Sequence, residues 1–337
     1  MSRLLVVRLL SMLPVLGLVL VIVFAMARLI PGDPAVTLLG PGATDGQIAA
    51  LRTQLNLDGS LPAQFLSYLR QLAHGDLGVS LKSGRPVAQE LLQRLPATLE
   101  LSLLATLIAL ASGIPLGVWA AVRQDGAADH VLRVLSLGGV SMPAFLIALL
   151  LQLLFGIVLG WLPVSGRLSP FDITDSVTGF AVLDGLLTGD FAASWDALRH
   201  LLLPSLVLAA FLSAVLLRFV RNSMSEVMGQ DYIRTARAKG MSEGSVLFVH
   251  GLRNALVPAL TIVGLNFAQM LGGAILTETV FSWPGIGRYM FDAIRNRDYP
   301  VIQGTTLLFA LIFMLTSLLV DVLHALADPR IRRGPVG

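Results

Sequence analysis

Cysteine is absent from the 337 residues, so neither a disulfide nor a thiolate metal site can brace this chain. Charge is scarce as well. Asp, Glu, Lys and Arg make up 13% of the residues, against about 25% in an ordinary soluble domain. The formal net charge is only +3, and the bases are spread rather than run together, which leaves no electrostatic footprint for nucleic acid. No Gly-x-x-x-x-Gly-Lys-Ser/Thr run is present, so the chain lacks the phosphate loop of an ATPase. Apolar side chains are what it has in plenty. They account for 55% of the residues, with a mean hydropathy of +0.77, more than one water-soluble core can hide. The chain belongs in a lipid bilayer.

A hydrocarbon core of about 30 Å needs roughly 20 apolar residues of helix. Six segments meet that length: about 9–28, 98–122, 131–159, 201–220, 255–277 and 303–326. Arg3 and Arg8 precede the first as they would in a signal peptide, but its apolar run is long and Ile30-Pro-Gly-Asp-Pro34 offers no small-residue cleavage pattern. It reads as an uncleaved anchor. With a cytoplasmic N-terminus, the inner segments carry Arg3, Arg8, Arg123, Arg133, Arg218, Arg221, Arg234, Arg237, Lys239, Arg253, Arg330, Arg332 and Arg333. The two shorter outer loops carry Arg167, Arg199, Arg288, Arg295 and Arg297. The excess of positive charge inside places both termini in the cytoplasm.

The first outer loop, about 31–97, is too long to be structureless. Thr44-Asp-Gly-Gln47 has the spacing of a capping box, after which Ile48, Leu51 and Leu55 share a helical face. Pro62 can start a second helix, Gly75-Asp-Leu-Gly78 reads as a turn, and Val87–Leu95 reads as a third helix returning to the membrane. The segment is either a small extracytoplasmic cap or a stretch lying on lipid headgroups. The outer connection at 160–200 holds Asp172, Asp175, Asp184, Asp190 and Asp196, which fit either a solvated loop or a contact for a partner or cation. Their spacing resembles no calcium loop.

Between the fourth and fifth apolar segments lies a charged island, Asp231-Tyr-Ile-Arg-Thr-Ala-Arg-Ala-Lys-Gly240, followed by Leu252-Arg-Asn-Ala-Leu-Val-Pro258. Its first part predicts a short helix that ends at Gly240, where glycine can take a left-handed backbone at little cost. Ser242 is placed to cap the next helix. Helix, turn and helix would then lie on the inner membrane face. An ordinary positive-inside loop and a contact for a soluble partner are both open on this pattern alone.

The island resembles the coupling loop, the EAA loop, of permease subunits in binding-protein-dependent ABC importers, in the form found in the dipeptide, oligopeptide and nickel group. Other stretches are similar to the same group: Arg28-Leu-Ile-Pro-Gly-Asp-Pro34, Gly75-Asp-Leu-Gly-Val-Ser80, Phe281-Ser-Trp-Pro-Gly-Ile-Gly-Arg288, Arg297-Asp-Tyr-Pro300 and Ala327-Asp-Pro-Arg330. The likeness covers nearly the whole chain, and the long first loop makes it resemble the first of the two permeases such systems encode. Arg234-Thr-Ala236 stands where the general motif has Glu-Ala-Ala, and Pro258 falls late. Both departures are features of the peptide group.

The resemblance implies an all-α polytopic protein with six transmembrane helices in the type I ABC importer permease architecture. Residues 1–30 would be the N-terminus and first span, 31–97 an extracytoplasmic helical loop, and 98–337 a five-helix core holding the coupling loop 221–254. It further implies a place in the bacterial inner membrane, no cofactor in this chain, and partners: a second homologous permease, two cytoplasmic ATPase subunits that bind ATP and Mg, and an extracytoplasmic solute-binding protein. The ATPase-coupling residues would be Asp231, Tyr232, Ile233, Arg234, Ala236, Arg237, Lys239 and Gly240. The charged ones would orient the helix, while Tyr232, Ile233 and Ala236 would supply buried apolar contact. Short peptides are the favoured cargo, with nickel chelates, glutathione and opine-like solutes left open.

Inside the apolar segments, Gln152, Asn266 and Gln269 are groups that lipid cannot satisfy. They line a translocation path or join helices to one another. Glu278 and Trp283 stand at the outer end of the fifth span, as an external gate or, for Trp283, an interfacial anchor. Asp321 and His324, one turn apart, are either a proton relay or a hydrogen-bonded pair near the inner surface. A relay would suit a proton-coupled secondary transporter, the main alternative class. Gly139-Val-Ser141 with His250 or His324 lacks the setting of a serine protease, and enzymatic chemistry finds no other support.

Overall fold

The computed structural model of the chain describes residues 2–29, 36, 42–54, 59–169, 177–256 and 258–327. Most of the first-helix exit motif, the face residue Leu55, Asp172, Asp175 and the motif residues after Ala327 lie outside them. Among the described residues the regular structure is helical, apart from one isolated bridge between Val79 and Pro86. The chain divides into two compact units. One is formed by Met1–Leu5, Leu95–Arg288 and Ile312–Gly337, the other by Val6–Arg94 and Tyr289–Leu311.

Four helices are long and apolar enough to cross a membrane by themselves: α1 (Ser2–Leu29), α4 (Val87–Val122), α8 (Phe191–Met228) and α14 (Tyr299–Ala327). Two bent pairs bring the number to six: α5 (Ala127–Ser141) with α6 (Ala144–Val158), and α10 (Glu243–Leu256) with α11 (Ala259–Gly273). Shorter helices are α2 (Asp45–Gln54), α3 (Leu61–Ala73), α7 (Ala181–Thr188), α9 (Asp231–Ala238), α12 (Ile275–Val280) and α13 (Ile286–Asn296).

Two expectations about helices change. The stretch 131–159 is not one continuous helix, because the chain turns by 106° between α5 and α6. Met142 and Pro143 are both extended there, with ψ of 130° and 135°. Proline has no amide to donate and disfavours the helical backbone in the residue before it, so the break falls where both effects meet. The converse happens at Pro96. A separate helix at Val87–Leu95 was expected, yet α4 continues through Pro96 to Val122. Just past the proline, Ala97 and Leu101 are fully packed against Leu201 and Trp283. That packing holds the helix through the hydrogen bond lost at Pro96.

In the first unit α8 is the hub. It packs against α5, α6, α7, α10, α11 and α12. Asp190 caps its start by accepting from the Ala193 amide at 2.9 Å, and small and aliphatic residues then alternate on its buried faces. Thirty-eight residues at 1.5 Å each give a helix of about 57 Å, well beyond the apolar core of a bilayer. Layers of Ala105, Ala109, Leu212, Leu216 and Met270, and of Val118, Val220, Met224 and Ala255, fill the space around it.

The second unit joins two stretches far apart in sequence. Asp298 is buried, accepts from Ser80 Oγ at 2.6 Å and from the Lys82 amide at 3.2 Å, and caps α14 through the Val301 amide. The turn motif at 75–80 and the Arg297–Pro300 motif therefore form one structure. Phe24 of α1 meets Phe65 of α3 edge to face at 5.1 Å, and Gln303 donates to the Val23 carbonyl. Glu90 accepts from Ser83 Oγ and from the Tyr289 hydroxyl, and the Arg94 guanidinium lies 4.2 Å above the Tyr289 ring. Burial, then the Glu90 carboxylate, push the Tyr289 hydroxyl above its ordinary pKa.

Candidate functional site

Two places in the first unit draw the sequence candidates together: the end of α8 with α9 and α10, and the turn from α12 to α13. At the first, α8 stops at Gly229, Gln230 is extended, and α9 begins at Asp231. Gly240 then takes φ of +75°, accessible to glycine and costly to residues with a Cβ. The turn is closed by the Gly240 amide donating to Arg237 O and the Met241 amide to Ala236 O. Ser242 caps α10 by accepting from the Ser245 amide. The expected helix, glycine break and serine cap are all present.

The two faces of α9 differ in a way the sequence reading did not anticipate. Ile233 and Ala236 were expected to offer apolar contact to a partner. They are buried instead, packed on Val246, Val227 and Met228 of this chain. An eight-residue helix with little contact of its own needs an apolar seam to hold it, and positions three apart supply one. The free face carries Asp231, Tyr232, Arg234, Arg237, Lys239 and Gly240. Asp231 and Arg234 face each other at 3.6 Å, Arg237 grips Glu243 at 2.8 Å, and the Tyr232 hydroxyl accepts from Asn254 at 3.1 Å. The surface is polar, charged of both signs and open.

The turn from α12 to α13 is its opposite. Glu278 of α12 is fully buried. Its Oε1 accepts from Thr98 Oγ1 at 2.7 Å and its Oε2 from the Arg288 amide at 2.9 Å, while Thr98 Oγ1 in turn accepts from the Ile286 amide at 2.8 Å. Gly285 leaves the room for this carboxylate, since a Cβ there would stand 2.3 Å from Oε1. Burial pushes the Glu278 carboxyl up to about 7, against the pull of these donors. Trp283 is also buried and donates from Nε1 to the Ala97 carbonyl at 2.9 Å. Its indole is therefore a packed wedge against α4 and not a lipid-facing anchor.

A second carboxylate lies close by in the sequence of α4. Glu100 accepts from Arg167 Nη2 at 2.5 Å and from the amides of Ala181 and Val182, at the start of α7. Neither Thr98 nor Glu100 stands among the sequence candidates, although a lone glutamate in an apolar span is a signal. The acidic loop resolves into structural parts. Asp184 is buried and accepts from Thr178 and Gly179; burial opposes its ionised form, but these donors prevail and hold its carboxyl below the usual range. Asp190 caps α8, and Asp196 accepts from the Ser169 amide and hydroxyl.

The intramembrane polar candidates are dispersed. Gln152 donates to the carbonyls of Val164 and Val280, tying the π-helical half of α6 to the loop and α12. Asn266 donates to Ile262 O within α11, and Gln269 is exposed. His324 pairs with Thr261 Oγ1 at 2.6 Å, across helices. Among the described residues no three His, Asp or Glu converge as a metal site would require.

This arrangement has known relatives. Residues 113–333 match the family described as the binding-protein-dependent transport system inner membrane component, and residues 1–102 match its companion N-terminal family. A dipeptide transport system permease protein of Alkalihalophilus pseudofirmus is 46% identical over 96% of this chain and 98% of its own. A di/tripeptide transport system permease protein of Pseudomonas aeruginosa is 48% identical over 93% and 94%, and a glutathione transport system permease protein of Salmonella choleraesuis 43% identical over 96% and 97%. Among solved structures, a chain of the MetNI methionine ABC transporter superposes with a TM-score of 0.51 at 14% identity, covering 69% of this chain and 93% of that one. The fold is that of an ABC importer permease. The chain belongs to the binding-protein-dependent transport system inner membrane component family, and is a multi-pass transport subunit of the inner membrane.

Proposed function

We propose that this chain is the first permease subunit of an ATP-driven importer for dipeptides and short oligopeptides. The observation that carries the cargo is the identity of 46% and 48%, over nearly full length, to permeases named for dipeptides and di/tripeptides. A relative named for glutathione at 43% identity keeps that tripeptide as the second reading. In this reading a second, homologous permease completes the pathway, two cytoplasmic ATPase subunits bind ATP and Mg, and an extracytoplasmic binding protein delivers the solute. Both termini and α9 face the cytoplasm, and the 31–97 segment caps the outer side.

The ATPase contact is the free face of α9: Asp231, Tyr232, Arg234, Arg237, Lys239 and the turn at Gly240. Ile233 and Ala236 serve it from behind by fastening the helix to α8 and α10. Rim charges steer and orient an encounter, whereas a seated apolar seam transmits force, so the two faces divide the work. Glu278 with Trp283 forms the outer gate, and Gln152, Asn266 and Gln269 contribute polar groups toward the path.

The test is reconstitution of the complete complex in proteoliposomes, with uptake of a labelled dipeptide and of labelled glutathione measured with and without ATP. ATP-dependent dipeptide uptake, abolished by Gly240→Val while the subunit stays inserted and assembled, is the expected result. Uptake driven by a proton gradient without ATP would overturn the reading, and uptake of glutathione alone would change the cargo.

A further inference from the structure

One buried ionic junction in the first unit is not used by the transport reading. Asp129, in the first turn of α5, is fully buried. Arg221 of α8 holds both of its oxygens, Nε to Oδ1 at 2.9 Å and Nη2 to Oδ2 at 2.9 Å. Arg133, one turn along α5, adds Nε at 3.1 Å and a closer contact from Nη2, and the Asp125 amide donates at 3.1 Å. A two-pronged guanidinium on a carboxylate fixes direction as well as distance. Arg133 stands on α5 itself, so Arg221 is the cation that ties this buried carboxylate to α8, and parting the two helices here would break the fork.

The position of this junction matters more than its strength. Arg221 lies in the last two turns of α8, which ends at Met228, and α9 begins at Asp231. Asp129 lies at the far end of α5 from Pro143, where the chain turns by 106° into α6. Along α5, Leu132 packs against Leu217 and Ala120, whereas Val131, Val134, Leu135 and Leu137 are exposed. The helix lies on α8 along its length, from the Arg221 fork past Leu217 to Gly139 beside Ala214, is bare along its other face and is jointed at Pro143. Pro143 offers no amide that a change of angle would have to break.

We propose that Asp129, held by Arg221, is the positioning residue that carries a displacement of α9 into the bent α5–α6 span. A shift of α9 moves the end of α8, Arg221 takes α5 with it, and the joint at Met142–Pro143 absorbs the change of angle. This rests on the reading of α9 as the ATPase contact.

The experiment measures ATP hydrolysis and dipeptide uptake together in proteoliposomes of the whole complex. Arg221→Lys keeps the charge and loses the fork, and Asp129→Asn keeps the shape and loses the charge. Both are expected to hydrolyse ATP at rates near wild type while uptake per ATP falls about tenfold, within the range of ordinary coupling energies. Arg133→Gln leaves the Arg221 fork in place and is expected to fall less, and Asp125→Asn, at an exposed carboxylate, to match wild type. If Asp129→Asn does not assemble, Arg221→Lys decides. An unchanged ratio, a parallel fall of uptake and hydrolysis, or failure of Arg221→Lys to assemble would each overturn the proposal. Absence of ATP-driven uptake in the wild-type complex would instead overturn the transport reading itself.

Discussion

The free face of α9 and the buried turn around Glu278 both carry ionisable side chains, yet they hold them in opposite ways. On α9 the Asp231 and Arg234 side chains are 97% and 76% exposed and meet only at 3.6 Å. At the turn from α12 to α13 Glu278 is fully buried and accepts from Thr98 on α4 and from the Arg288 amide. Water already satisfies the first set, so a partner can take it over at little cost. The second set has been taken from water and must be satisfied internally, or the turn does not form. One set is left open to solvent, and the other is closed on itself.

The largest effect should come from the wedge that fills the turn from α12 to α13. Trp283→Ala removes a buried indole together with its bond to Ala97 O, and loss of about 3–5 kcal/mol is expected for such a deletion. Thermal unfolding of the purified protein in detergent measures it, and a midpoint near wild type would show that the turn is not tightly packed.

Glu278 comes next, and pH exposes it. Its pKa is raised from 4.5 to about 7, so the fold favours the neutral carboxyl. The stabilising contribution is fully present below pH 4.5 and is lost as pH rises through about 7, a difference of about 3 kcal/mol at ~1.4 kcal/mol per pH unit. The unfolding midpoint of the wild type should therefore fall between pH 5 and 8 by more than that of Glu278→Gln, whose side chain does not titrate. Parallel pH profiles would sink the assignment.

The contrast also explains what could be read without coordinates. The α9 turn was legible because its signals are local: a glycine, a serine cap three residues before its amide, and charges within one helix length. The turn from α12 to α13 was not, because Thr98 and Glu278 are 180 positions apart, and no local pattern says that an α4 hydroxyl will face an α12 carboxylate. The same blindness let Ile233 and Ala236 pass as surface. Their spacing announced an apolar seam, but whether the seam meets another chain or this chain's own Val246 depends on a turn angle that spacing does not carry. Six apolar spans were plain from length alone, whereas the 106° break at Pro143 required weighing one proline against the packing around it, and Pro96 fell the other way.

Smaller effects belong to the open face. Gly240→Val forces a β-branched residue to φ of +75°, which no neighbour opposes by contact but the backbone resists by about 1–2 kcal/mol. Its unfolding midpoint should drop modestly, far less than that of Trp283→Ala. The smallest change in stability is expected from Arg234→Ala, because an ion pair this exposed adds almost nothing to a fold. Yet a rim charge of this kind sets association rate and its dependence on salt. Arg234→Ala should leave the unfolding midpoint at the wild-type value while slowing assembly with the ATPase subunits, most visibly at low ionic strength. A fall of several degrees in the midpoint would mean that Arg234 braces the turn, and the division of α9 into a fastened face and a free one would have to be redrawn.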